Sequence, residues 1–170
     1  MASPSKERKT MAKQVKTIPE GYHSVTPYLT IQGAAKAIDF YKRAFGAKEI
    51  MHMDGPGGKI VHAELQIGDS RIMLSDEIGG VCKSPQALGG TTSSIFLYVE
   101  DVDSVFKQAT SAGGTVVMAL ADQPWGDRFG TLTDPFGHVW SLATHVEDVA
   151  PEEIDRRIKE MMAKRAQAAS

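Results

Sequence analysis

The sequence predicts an α+β fold made of two copies of one unit, each with several strands and a single helix. Segments in which apolar and polar residues alternate predict strands, and two segments with apolar residues every three or four positions predict helices. A constant offset relates the two halves of the chain. It is 68 positions, and it separates Ile31 from Val99, Gly46 from Gly114, and Leu74 from Leu142. Because either half has too few strands to close a core alone, the two halves are expected to pack together.

The composition is typical of one domain, or of two small modules fused into one. The chain has 170 residues, of which 42% are hydrophobic, so a sizeable core is expected. A formal net charge of -2 gives no reason to expect nucleic acid or a membrane surface as a partner. No apolar run approaches the ~20 residues of a membrane span. The single cysteine, Cys82, excludes an internal disulfide and a cysteine-based zinc site, and together these features predict a cytoplasmic protein.

Residues 1–20 are predicted to form a disordered basic leader. The segment has too few apolar residues to bury, and it lacks the apolar stretch of a secretory signal. Its charged residues are Lys6, Glu7, Arg8, Lys9, Lys13, Lys16 and Glu20. The alternative is a basic arm that binds an acidic partner, although tails of this kind are usually only solvated.

The first module spans about residues 23–77. Alternation from Val25 to Gln32 predicts the first strand, and a stripe of apolar residues along Gly33–Phe45 predicts a helix. Gly46 is expected to end this helix in the left-handed conformation. Three further strands are predicted at Ala47–Met53, Val61–Ile67 and Arg71–Ser75.

A polar row lies along the third of these strands. The row consists of His62, Glu64 and Gln66, which alternate with apolar residues. Side chains alternate between the two faces of a strand, so the apolar row is expected to pack under a helix. The polar row is therefore expected to face a cleft or solvent.

The second module spans about residues 93–146. Its first three elements are predicted to be a strand at Ser94–Val99, a helix at Val102–Ala112 and a strand at Thr115–Leu120. Two apolar runs, Arg128–Thr133 and His138–Ala143, follow and are joined by the sequence Asp-Pro-Phe-Gly. Pro135 presets one turn dihedral angle and Gly137 permits a positive one, so a hairpin is predicted. Trp140 and Leu142 alternate with Ser141 in the last run, so Trp140 is expected to pack under a helix.

Two segments lie outside the modules. The loop Asp76–Thr92 is Gly-rich and is interpreted as a linker, with a mobile lid as the alternative. Within residues 150–170, an amphipathic helix is predicted at Pro151–Ala166, because proline suits the first helical position and acidic residues follow it. This helix is expected to dock on its own domain or on a partner subunit.

Four stretches carry a resemblance to a known superfamily. They are VTPYLTIQGAAKAIDFYKRAFGA (Val25–Ala47), KIVHAELQIGDSRIMLSDE (Lys59–Glu77), WGDRFGTLTDPFGHVWSLATHVEDV (Trp125–Val149) and PEEI (Pro151–Ile154). The chain resembles the vicinal oxygen chelate superfamily, which includes glyoxalase I, extradiol dioxygenases and bleomycin- and fosfomycin-resistance proteins, and more narrowly its PhnB-like branch. The resemblance implies two βαβββ modules that form one open, cupped sheet around a cleft. It also implies a single domain, over residues 21–149, and a homodimer.

The resemblance also indicates where a metal would bind. In metal-dependent members the ligands come from the start of the first strand and from the last strand of each module. The matching positions here are Thr26, Met73, Ser94 and Ser141. Hydroxyl and thioether groups do not hold a divalent cation in water, so no metal cofactor is expected. The alternative is an atypical divalent metal site that uses His62 and Glu64.

Seven residues are candidates for binding a small molecule. They are Tyr28, His62, Glu64, Tyr98, Trp125, Asp127 and Arg128. Trp125 and Tyr98 have rings that can stack on a planar ligand, and Arg128 has the geometry to grip a carboxylate or phosphate. Glu64 beside His62 is either a general base or one half of an ion pair, and the ion pair is favoured.

The sequence leaves three hypotheses for function. The first is a metal-independent protein that binds a small aromatic or anionic molecule, for sequestration or detoxification. The second is a metal-dependent enzyme of the glyoxalase or dioxygenase type with atypical ligands. The third is a scaffold whose C-terminal helix docks a protein partner.

Overall fold

The computed structural model describes residues 15–80 and 82–168 and confirms the predicted α+β fold with two βαβββ modules and a C-terminal helix. The elements of the first module are β1 (Tyr28–Ile31), α1 (Ala34–Phe45), β2 (Lys48–Asp54), β3 (Ile60–Ile67) and β4 (Ser70–Asp76). After α2 (Pro85–Leu88) come β5 (Ser94–Tyr98), α3 (Val102–Ala112), β6 (Thr115–Asp122), β7 (Asp127–Thr133), β8 (Val139–His145) and α4 (Pro151–Ala168). Of the predicted leader 1–20, residues 1–14 lie outside the described part, and residues 15–20 are exposed.

The eight strands form two four-stranded sheets, where one sheet was predicted. The strand orders are β1-β4-β3-β2 and β5-β8-β7-β6, with the first pair of each sheet parallel and the others antiparallel. Among the described strands, no hydrogen-bonded pairing joins the two sheets. A cavity of about 420 Å³ lies between them, lined by the segment before β1, by the β3–β4 turn and by β5.

One hydrophobic core nevertheless serves both modules. Helices α1 and α3 pack against each other, and two aromatic residues of α1 contact Trp140 in the second sheet. The Phe45 ring lies 4.4 Å from the ring of Trp140, and Tyr41 lies 5.2 Å from it, centroid to centroid. Trp140 is fully buried, as the sequence predicted for a residue under a helix. The two modules therefore stabilise each other by burying a shared aromatic cluster.

The last strand of each module caps that module's helix. The Asp76 carboxylate accepts hydrogen bonds from the backbone N–H groups of Gly33 (2.8 Å) and Ala34 (3.0 Å), at the start of α1. The hydroxyl of Thr144 accepts one from the backbone N–H of Val102 (2.9 Å), at the start of α3. Asp76 and Thr144 are 68 positions apart, as are Ala34 and Val102. The repeat seen in the sequence therefore extends to the way each helix is anchored.

The short helix α2 lies inside the segment predicted to be a linker. Ser84 caps it by accepting a hydrogen bond from the backbone N–H of Ala87, and Pro85 occupies its first turn. A single helical turn shows no apolar periodicity, so the sequence pattern did not reveal it. Among the described residues, no helix is both long enough and apolar enough to span a membrane.

Candidate functional site

Each sheet has one face that packs on the helices and one, called here the open face, that turns away from them. In β3, Ala63, Leu65 and Ile67 are buried, whereas His62 and Glu64 are half-buried on the open face. This confirms the predicted orientation of the polar row. The seven candidate residues separate into one cluster per module, and one residue joins neither cluster.

The cluster of the first module is a chain of polar contacts on its open face. The hydroxyl of Tyr28 lies 3.1 Å from Nδ1 of His62, and Nε2 of His62 lies 3.4 Å from one oxygen of Glu64. The other Glu64 oxygen accepts a hydrogen bond from Arg71 at 3.3 Å. The guanidinium of Arg71 lies 4.7 Å from the ring centre of Tyr22. The structure therefore brings together Tyr28, His62 and Glu64 and adds two residues that the sequence did not single out.

The pKa of Glu64 is lowered from its usual value. The largest cause is the nearby hydroxyl of Tyr22, followed by burial, which acts in the opposite direction, and by the contact with His62. A carboxylate with a lowered pKa is a weak base, and both Glu64 oxygens are already engaged. These observations favour the ion pair with His62 over a general base.

The cluster of the second module converges on one buried carboxylate. Asp127 is 3% exposed, and its Oδ2 accepts hydrogen bonds from the hydroxyl of Tyr98 (3.0 Å) and from the indole N–H of Trp125 (3.1 Å). Its Oδ1 lies 2.8 Å from Nδ1 of His145. The hydrogen bond to Asp127 is the main reason that the pKa of the Tyr98 hydroxyl is raised. A buried carboxylate with three such partners fixes the orientation of all three side chains.

Four aromatic rings, two of which donate hydrogen bonds to this carboxylate, form a surface on the open face, called here the aromatic surface. It consists of Phe96, Tyr98, Trp125 and Phe129. The ring centres of Phe96 and Tyr98 are 4.9 Å apart, and Phe129 stacks on Phe96 at 5.6 Å and meets Trp125 edge-on at 6.0 Å. Phe96 is 49% exposed, Tyr98 60% and Trp125 37%. Large rings held rigidly but left open to solvent are a feature of ligand-binding surfaces.

A tight turn before β7 places Trp125 beside Asp127. Gly126 has a φ of 93°, and a Cβ added there would lie 1.9 Å from the carbonyl oxygen of Glu147. The carbonyl of Gly126 accepts hydrogen bonds from the backbone N–H groups of Val146 and Glu147, which ties the turn to the end of β8. Only glycine fits at this position, so the Trp-Gly-Asp sequence has a structural reason.

Arg128 lies on the helix side of its sheet, so, contrary to the prediction from the sequence, it does not join the other candidate residues on the open face. Alternation in β7 turns Asp127 and Phe129 to the open face and Arg128 to the other side. The guanidinium donates two hydrogen bonds of 2.6 Å to Asp103 at the start of α3 and one of 3.2 Å to Asp122. These contacts raise its pKa further. Arg128 therefore anchors a helix to a strand and is not directed to the open face.

The donor groups on the open faces do not fit a catalytic divalent metal. Thr26, Met73, Ser94 and Ser141 stand at the positions that would hold it, and none is ionisable near neutral pH. In the part of the chain that the structure describes, no group of three His, Cys, Asp or Glu side chains is arranged to bind a metal ion. The carboxylates around His145 lie against opposite nitrogens of its ring, so they cannot share one cation with it.

Comparison with known proteins identifies the family. A family model described as the Glyoxalase/Bleomycin resistance protein/Dioxygenase superfamily matches residues 22–142. The chain belongs to this superfamily, as the resemblance in its motifs indicated. Helix α4 lies outside the matched residues.

Three relatives illustrate how far the similarity extends. The uncharacterized protein Rv0887c of Mycobacterium tuberculosis is 48% identical over 135 residues, which cover 77% of this chain and 79% of that protein. TioX from Micromonospora sp. ML1 is 29% identical, with a TM-score of 0.57 over 71% of this chain and 97% of TioX. A Bacillus cereus PhnB protein, described as a putative 3-demethylubiquinone-9 3-methyltransferase, is 22% identical, with a TM-score of 0.56 over 72% of this chain and 99% of its own. This last similarity shows the fold alone.

Proposed function

We propose that this chain is a metal-independent binding protein of the PhnB-like branch, which takes up a small planar aromatic molecule for sequestration or detoxification. The aromatic surface carries this proposal, because two of its four rings are held in place by a buried carboxylate and three of them remain open to solvent. Aromatic side chains are on average highly buried in globular proteins. In this chain, Phe96, Tyr98 and Trp125 are exposed and therefore accessible to a ligand.

The physical basis of the proposal is the burial of apolar area. Covering about 200 Å² of apolar surface contributes about 5 kcal/mol before the costs of association are subtracted. Stacked and edge-on ring contacts add about 0.5–1.5 kcal/mol each. Because Asp127 already fixes Tyr98 and Trp125, little side-chain freedom is lost when a ligand binds.

The side chains at the family's metal-ligand positions favour a metal-independent protein over a metal-dependent enzyme of the glyoxalase or dioxygenase type. Those mechanisms use a metal to polarise or chelate oxygens, and they need at least three strong ligands with an open position. The hydroxyl and thioether groups at the four family positions do not supply them. The His62–Glu64 alternative is weakened because Glu64 already pairs with Arg71.

A homodimer in the cytoplasm is part of the same proposal. The outer strands β2 and β6 leave Met51, Met53, Val117 and Met118 exposed, and exposed apolar strands favour association with a second copy. Sedimentation equilibrium of the full chain is expected to give twice the monomer mass. A monomer at micromolar concentration would contradict this part of the proposal.

The binding proposal is tested by the fluorescence of Trp125. The chain has two tryptophans, and the other, Trp140, is fully buried, so ligand-induced changes report on Trp125. Titration with naphthalene-2-carboxamide and related planar compounds is expected to give a saturable change. Phe96→Leu keeps the apolar volume but removes a ring, and it is expected to weaken binding about 3- to 10-fold.

Leu88→Ala is the matched control, because it removes an exposed apolar side chain from α2, away from the aromatic surface. It is expected to leave the affinity unchanged. Absence of a saturable response across the panel, or equal weakening by both variants, would contradict the proposal. Trp125→Phe is expected to remove the optical signal while calorimetry still detects binding.

A further inference from the structure

His145 lies between two carboxylates at the rim of the aromatic surface. Its Nδ1 is 2.8 Å from Asp127, and its Nε2 is 3.0 Å from Asp148. Both ring nitrogens therefore face acceptors that have no proton to donate. This arrangement favours the imidazolium form, in which both nitrogens carry a proton.

The two carboxylates differ in how firmly they are held. Asp127 lies in β7, is almost completely buried and has two further hydrogen-bond donors. Asp148 lies in the irregular segment after β8, its side chain is fully exposed, and its contact with His145 is the one hydrogen bond described for it. The inner carboxylate is thus a fixed part of the site. The outer one can be replaced by another carboxylate without disturbing a packed element.

We propose that His145 is the anion-binding group of this site, and that the ligands are planar aromatic carboxylates whose carboxylate replaces Asp148 on Nε2 of His145. The aromatic part of such a ligand covers the aromatic surface, which shares Asp127 with His145. This inference rests on the proposed function and specifies its ligand class. It also assigns to His145 the role that the sequence suggested for Arg128.

Asp148 competes with the carboxylate of a ligand for Nε2 of His145. It is tethered three residues from His145, so its effective concentration at Nε2 is on the order of millimolar or higher. A ligand carboxylate must displace it, and part of the binding energy is used for that exchange. Removing the charge of Asp148 is therefore expected to increase the affinity for carboxylates and to leave the affinity for neutral ligands unchanged.

The decisive experiment compares two ligands of the same shape, naphthalene-2-carboxylate and naphthalene-2-carboxamide, by Trp125 fluorescence and calorimetry on the full chain. The unmodified protein is expected to prefer the carboxylate by about fivefold. Asp148→Asn is expected to raise the affinity for the carboxylate about fivefold further, with the amide unchanged. His145→Gln is expected to abolish the preference. Asp155→Asn, an exposed acid in α4, is the matched control and should change neither affinity.

The preference is also expected to depend on pH. Hydrogen bonds to Asp127 and Asp148 raise the pKa of His145, so its charge persists below that raised value and is lost as the pH increases through it. Four acids lie at or near this imidazole. Asp127 and Asp148 contact it, and Glu100 and Asp101 line the same groove from the β5–α3 connection. The preference for the carboxylate should therefore be present at about pH 6 and absent well above the raised pKa.

Each outcome decides between the proposals. Equal binding of both ligands by the unmodified protein and by Asp148→Asn would overturn the role of His145 and leave the proposed function intact. Tighter binding of the cation 2-naphthylmethylammonium than of the carboxylate would overturn it as well, because Asp148 would then be the recognition group. If neither naphthalene ligand binds, the proposed function itself fails, and this inference fails with it. Asp148 is exposed, so the result for Asp148→Asn does not depend on a folding defect.

Discussion

Replacing Asp134 with alanine is expected to lower the free energy of unfolding by about 3–5 kcal/mol. Asp134 is buried in the hairpin turn of the second module. One of its oxygens accepts hydrogen bonds from the Tyr41 hydroxyl (2.7 Å) and the Trp140 indole N–H (3.1 Å). The other accepts them from the backbone N–H groups of Phe136 and His138, each at 2.9 Å. The substitution leaves four donors without this acceptor, and Tyr41 belongs to the other module.

The measurement is urea denaturation followed by circular dichroism. Tyr41→Phe removes one of the four donors and is expected to destabilise the protein by about 1–2 kcal/mol. Asp54→Ala, at a largely exposed aspartate, is the control and should stay within about 0.5 kcal/mol of the unmodified protein. A loss below about 1 kcal/mol for Asp134→Ala would show that this carboxylate does not hold the two modules together.

Replacing Asp127 with alanine is expected to weaken binding of planar aromatic ligands about 30- to 100-fold, which corresponds to about 2–3 kcal/mol. Asp127 orients Tyr98, Trp125 and His145, so its loss frees three side chains that would contact a ligand. The ligand must then order these side chains, at about 0.5–1.5 kcal/mol each. The effect is expected to exceed that of any single ring substitution.

Binding is measured by calorimetry, because the substitution also changes the environment of Trp125. Asp122→Ala, at an exposed aspartate just before the same turn, is the matched control and should retain full affinity. Circular dichroism must show that the Asp127 variant is folded at the temperature used. Affinity within about threefold of the unmodified protein would mean that the aromatic rings do not need this carboxylate.

Most of the fold was accessible from the sequence. The 68-residue offset and the alternation in the strands predicted both modules. Gly46 does end α1 in the left-handed conformation, with a φ of 65°. The separation into two sheets was not accessible, because alternation gives the orientation of side chains within a strand but not the distance between strand edges.

The candidate site was only partly accessible. The sequence placed Trp125 and Asp127 together because they are neighbours, but it also included Arg128, which alternation turns to the opposite face. It missed the contacts of His145, because the partners of that residue come from a different strand and from the segment after β8. Contacts between strands depend on register, and a single sequence does not reveal register.

The two modules share the same strand arrangement but carry different side chains on their open faces. Tyr28 and Phe96 are 68 positions apart, and each contacts a ring two strands away across its sheet. The Tyr28–His62 centroid distance is 5.7 Å, and the Phe96–Phe129 distance is 5.6 Å. One module therefore presents polar groups, and the other presents apolar rings, on equivalent positions of the same framework. This difference is the reason that we place the proposed site for an aromatic ligand on the second module.

Binding at the aromatic surface is proposed to need no metal. The most direct test is calorimetric titration of naphthalene-2-carboxamide into chelator-treated protein, repeated after addition of Mg²⁺, Mn²⁺, Ni²⁺ and Zn²⁺. The metal content of the protein is measured before and after treatment. Saturable binding with the same affinity is expected in every sample. Stoichiometric metal in the purified protein, together with binding that disappears on chelation and returns with one ion, would contradict it and favour a metal-dependent enzyme.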